Sequence, residues 1–72
     1  MRITIIDRGS KLEKLEREST LVKWFMDENR NEGGSERDGD TTIWELDLIP
    51  TAALEEVLKE MEAKGIEVRT DN

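Results

Sequence analysis

Apolar residues fall along the chain in two rhythms, alternation and helical spacing, and the changes from one to the other divide it into elements. Arg2-Ile3-Thr4-Ile5-Ile6-Asp7 is short and β-branched and is closed by Arg8-Gly9, which predicts a first strand and a turn. Ser10 and Glu13 have the spacing of a capping box, so a helix is expected to begin at Ser10, with Leu12 and Leu15 as a narrow apolar stripe and Glu13/Arg17 as an i,i+4 pair on its wet side. Thr20-Leu21-Val22-Lys23-Trp24-Phe25-Met26 is rich in β-branched and aromatic residues and reads as a second strand. A second pattern competes over this stretch. Leu12, Leu15, Ser19, Val22 and Met26 recur at 3, 4, 3, 4 spacing, so one continuous helix from Ser10 to about Asn29 also presents an apolar seam. Helix followed by strand is the reading adopted, because the long helix leaves Leu21 and Phe25 off the main seam and places Ser and Thr in mid-helix.

Residues 28–40 contain no apolar side chain and are expected to form a flexible, acidic, solvated loop ending in Asp38-Gly39-Asp40. From Thr41 to Ile49 the chain alternates, with Thr42, Trp44, Leu46 and Leu48 on one face and Ile43, Glu45, Asp47 and Ile49 on the other, the clearest strand in the sequence. Pro50 ends it and Thr51 caps a helix over residues 52–64, whose apolar face is Leu54, Val57, Leu58 and Met61. Gly65 supplies the stop before a final short strand over residues 66–70. The order β-α-β-β-α-β predicts a single α+β domain over residues 1–72, a ferredoxin-like sandwich with two helices on one face of an antiparallel sheet. The long-helix alternative gives βαβαβ.

Length limits what such a fold can do. A chain of 72 residues buries about 60% of its unfolded surface, too little to spare for a deep catalytic cleft. Leu, Ile, Val and Phe make up 17 of the 72 residues, above the level of about 20% below which a charged chain stays disordered, so a modest core is expected. Charged residues reach 40% and the net charge is −7, a balance that fits either heat adaptation or selection for a negative surface. Without Cys or His there is no disulfide frame and no Ser–His or Cys–His nucleophile in this chain. The first residues lack the apolar core of a secretory signal, and no apolar run has the length of a membrane span, so a cytoplasmic setting without membrane contact is expected.

Motifs for chemistry are few. Glu45 and Asp47 point outward from an alternating strand rather than flanking a substrate groove, so no catalytic pair is assigned. Asp27, Asn29 and Asn31 begin like a calcium loop, but Glu32 stands where the turn needs glycine and Asp38 where a bidentate glutamate belongs, so no metal or cofactor is expected. Direct nucleic-acid binding is disfavoured by the net charge of −7. Trp24 and Trp44 are expected to meet in the core across the sheet, leaving Leu21, Phe25, Ile43 and Ile49 on the opposite face. The expected function is therefore non-enzymatic binding of a protein partner with a basic surface. Phe25, Leu21 and Ile43 would act as apolar anchors beside Glu36, Asp38, Asp40, Glu45 and Asp47. Small acidic viral inhibitors that occlude a nucleic-acid-binding surface, anti-CRISPR proteins among them, offer an analogy of class and not of motif. A homodimeric ligand-sensing module of the same fold is the alternative.

Overall fold

The computed structural model describes residues 1–30 and 34–71. Its elements are β1 (Arg2–Arg8), α1 (Lys11–Glu18), α2 (Thr20–Asn29), β2 (Gly34–Asp38), β3 (Thr41–Asp47), α3 (Ala52–Ala63) and β4 (Glu67–Asp71). The sheet runs β2-β3-β1-β4 with every neighbouring pair antiparallel. This is the ferredoxin-like split βαβ arrangement, with two helices in place of one in the first crossover. All three helices contribute to one core on one side of the sheet, where Leu12, Leu15, Val22, Phe25, Met26, Leu54, Val57 and Met61 meet Ile3, Ile5 and Leu46.

Two expected segments are corrected. Residues 20–26 are helix, not strand, and the long-helix alternative is interrupted at Ser19, whose extended backbone (φ −123°, ψ 113°) ends α1 and starts α2. The break removes the objection to helix here. Ser19 sits outside both helices as the cap of α2, its hydroxyl accepting from the Val22 N–H at 3.2 Å and donating to Glu60 of α3 at 2.9 Å. Re-aimed by this bend, α2 buries Val22, Phe25 and Met26 together, contacts worth about 1.5–3 kcal/mol per side chain.

The second correction concerns the expected loop over residues 28–40. Glu28 and Asn29 belong to α2, Gly34–Asp38 is a strand, and Asp38-Gly39-Asp40 turns tightly into β3, while residues 31–33 lie outside the described residues. No apolar pattern marks β2 because all five of its residues are exposed and backbone pairing to β3 alone holds it. Gly39, at φ +62°, occupies the first position of the two-residue turn, where a II′ hairpin requires glycine.

The caps are as expected at one helix and different at another. Thr51 caps α3 by accepting from the Leu54 N–H at 3.1 Å. Gly65, at φ +79°, closes the helix as the Ile66 and Gly65 N–H groups reach back to the carbonyls of Met61 and Glu62, each at 3.0 Å. Ser10 makes no side-chain cap; its φ of +58° turns it away, and the buried Asp7 accepts the Lys11 N–H at 2.9 Å instead. The Glu13–Arg17 pair forms at 2.9 Å.

Ser19→Ala is expected to lower unfolding free energy by about 1 kcal/mol, the usual value of a lost helix cap. Phe25→Ala should cost about 3 kcal/mol or more by opening a core cavity. Urea denaturation followed by far-UV circular dichroism measures both, and a neutral Phe25→Ala would contradict its place in the core.

Candidate functional site

Cross-strand register sorts the sheet's side chains onto two faces. Ile3, Ile5 and Asp7 lie opposite Leu46, Trp44 and Thr42, so these residues point toward the helices, and Ser35, Arg37, Val68 and Thr70 share that side. The helix-free face carries Arg2, Thr4, Ile6 and Arg8 on β1, Thr41, Ile43, Glu45 and Asp47 on β3, Gly34, Glu36 and Asp38 on β2, and Glu67, Arg69 and Asp71 on β4. Of the expected anchor set, Ile43, Glu45, Asp47, Glu36 and Asp38 are brought together on this face, with Asp40 in the adjoining turn. Phe25 and Leu21 are not. Phe25 is buried in the core and Leu21 packs half-buried against it, because their segment is helix and sits on the other side of the sheet.

Charge on the helix-free face is divided between its halves. The β2–β3 half carries Glu36, Asp38, Glu45 and Asp47 and no basic side chain, while its arginines stand on β1 and β4. Arg8 and Arg69 are both committed to Glu67, at 3.2 and 2.7 Å. The side-chain hydrogen bond from Arg8, reinforced by Arg69, holds the Glu67 carboxyl below its ordinary pKa. Arg37 offers no neutralisation from β2, since it lines a helix-side hollow with Asp7, Glu13, Glu16 and Trp44. Asp47 lies 3.5 Å from the N-terminal ammonium, but Glu36, Asp38 and Glu45 have no ion-pair partner among the described residues.

The register makes this concentration of like charge tolerable. Glu36 faces Ile43, Asp38 faces Thr41 and Glu45 faces Gly34, so no acid on these two strands has another directly across from it. Carboxylates therefore stand about 7 Å apart along each strand and are staggered across the roughly 5 Å between strands. Between them Gly34, Ser35, Glu36, Ile43 and Glu45 line a hollow of about 200 Å³.

A second surface lies on the helical side. Trp24 and Ile49 are the two large apolar side chains left exposed among the described residues, at 52% and 84%. Both border a notch of about 140 Å³ with Phe25, Leu48, Ala53 and Leu54. The expected Trp24–Trp44 core pair is thus absent: Trp24 is on the outer side of α2, and Trp44 packs half-buried on the core with the Arg30 guanidinium 5.9 Å from its ring centre. Sequence reasoning missed Trp24 as a surface residue and Gly34 as a site residue. Helical spacing around Val22 and Met26 carried the signal for the first, and the Gly39-Asp40 hairpin dipeptide carried it for the second.

Comparison with protein-family models, curated proteins and solved structures finds no match to this chain. No helix among the described residues is long and apolar enough to cross a membrane.

Because its folded pKa is depressed, Glu67 contributes stability that is present above its unfolded pKa and lost as pH falls through its folded one. Carboxyl-detected NMR titration should place the Glu67 midpoint below that of an exposed glutamate, and Arg8→Ala should raise it. An unchanged midpoint in the variant would contradict the assigned cause.

Proposed function

We propose that the protein is a non-enzymatic binding module that docks the acidic β2–β3 half of its open sheet face on a basic surface of a larger protein partner, and by doing so occludes a site where nucleic acid would bind. The observation that carries this reading is the staggered set of Glu36, Asp38 and Glu45, which have no ion-pair partner among the described residues and stand on two paired strands, with Asp47 at its end opposite Arg2. A surface of Lys and Arg built for phosphates meets in this array a regular set of anions spaced by two paired strands. Complementary potential speeds encounter and fixes orientation, while the half-buried Ile43 at the centre gives the contact an apolar point from which water is excluded. Two copies brought together through this half would oppose like charges, which favours a basic partner over self-association here. Inhibition of a host complex by a viral protein, in a cytoplasmic setting, is the role that such occlusion fits by analogy of class.

Tagged protein used as bait in a lysate of the producing cell, or of its host if the source is viral, should retain a basic nucleic-acid-binding protein at low salt and release it at high salt. The purified partner should then lose nucleic acid in proportion to the bait added. The double variant Glu36→Lys/Glu45→Lys should weaken capture about tenfold or more with the fold intact. Equal capture by that variant, or a captured partner that holds nucleic acid undiminished, would overturn the proposal.

A further inference from the structure

Among the described residues nothing pairs with the outer edge of β2, and a hollow lies beside Gly34. On β3 the residues bonded to β1 are the even-numbered ones, since Leu48 exchanges hydrogen bonds with Met1, both at 2.8 Å, in register with the Leu46–Ile3 and Trp44–Ile5 pairs. The odd-numbered residues of β3 therefore bond to Gly34, Glu36 and Asp38, and the N–H and C=O groups of Ser35 and Arg37 point outward from the sheet. Beyond β2 the sheet has no further strand among the described residues. Gly34 is required neither by backbone nor by crowding among the described residues, for its φ is outside the left-handed region and a Cβ there would meet none of them within 4 Å. Glycine weakens a strand, so its effect at this position is to leave open the hollow of about 200 Å³ between Glu36 and Glu45.

We propose that the β2 edge takes an extended, lysine- or arginine-bearing segment of the partner as a fifth strand, with one basic side chain laid across Gly34 into the hollow. This rests on the acidic half-face as the docking surface and specifies the form in which the partner presents its charge. Residues of the added strand that stand opposite Gly34, Glu36 and Asp38 project over the open face. At Gly34 no side chain intervenes, so a long basic side chain reaches past it, rests its aliphatic stem on Ile43 and places its charged head between Glu36 and Glu45. Charged edge strands ordinarily guard against pairing. Here Glu36 and Asp38 repel the same edge of another copy, and the identical charges attract a basic strand.

Fluorescence anisotropy at low salt with a blocked peptide of alternating Lys and Thr, against a peptide with as many lysines separated by prolines, tests the inference. The alternating peptide should bind about tenfold more tightly than the proline peptide, which has the charge but not the strand. Gly34→Val fills the hollow while improving strand propensity, so it should fold at least as stably and lose about tenfold or more in affinity. Ser35→Pro removes one outward N–H without touching the ladder to β3 and should do the same; should it fail to fold, Gly34→Val alone decides. Equal binding of both peptides, abolished by Glu36→Lys/Glu45→Lys, would overturn strand addition and leave the acidic docking surface standing. Binding of neither peptide would overturn both, and unchanged affinity in Gly34→Val would overturn the hollow as the socket.

Discussion

Everything in the fold hangs on β1, whose Ile3 and Ile5 are wholly buried and whose backbone is paired on both sides, to β3 and to β4. These two isoleucines are the floor on which the three helices pack, and the Leu46 and Trp44 side chains extend that floor across β3. Stability falls away from this centre. β3 is held by ladders on both edges and by Leu46 beneath the helices, whereas β2 is held by one ladder and buries no side chain. The strand that contributes least to the core is therefore the one free to carry charge, and that is where Glu36 and Asp38 are found.

The elements that pack against β1 were the legible ones. β1 itself, the alternation of β3, and α3 between Pro50 and Gly65 each carry a pattern that burial imposes, and each is present there, although β3 ends at Asp47 and Ile49 borders the helical-side notch instead of sharing the face of Ile43. Residues 20–26 misled because their β-branched and aromatic content reports strand propensity, while their 3, 4 spacing reports the helix that tertiary packing selects. Ser19 and Thr20 counted against helix only so long as one unbroken rod was considered; with Ser19 as a cap the same residues favour it. β2 had no apolar pattern to read, since both its faces meet water. The ferredoxin-like class survived these two errors because the strand lost from residues 20–26 was regained at Gly34–Asp38, keeping four strands in the same chain order.

The candidate site divides along the same line. Ile43, Glu45 and Asp47 were assigned to an outward face by alternation alone, and register places them there. Glu36 and Asp38 join them only once β2 is a strand, so their alignment was invisible while residues 28–40 stood as a loop. Phe25 and Leu21 were misplaced for the same reason that α2 was, and the apolar side chains that do reach solvent, Trp24 and Ile49, lie on the helical side. Acids staggered against Ile43, Thr41 and Gly34 reconcile a high local charge with a formed hairpin, and that reconciliation is what makes the β2–β3 half-face a surface for a basic partner.

Amide hydrogen exchange, measured residue by residue along β2 in the free protein and in its complex with the basic partner, tests this account most directly. In the free protein Glu36, bonded to β3, should exchange slowly, while Ser35 and Arg37, directed outward, exchange fast. Saturation with partner should slow Ser35 and Arg37 by about tenfold or more. Fast exchange at Glu36 in the free protein, or unchanged exchange at Ser35 and Arg37 in the saturated complex, would contradict it.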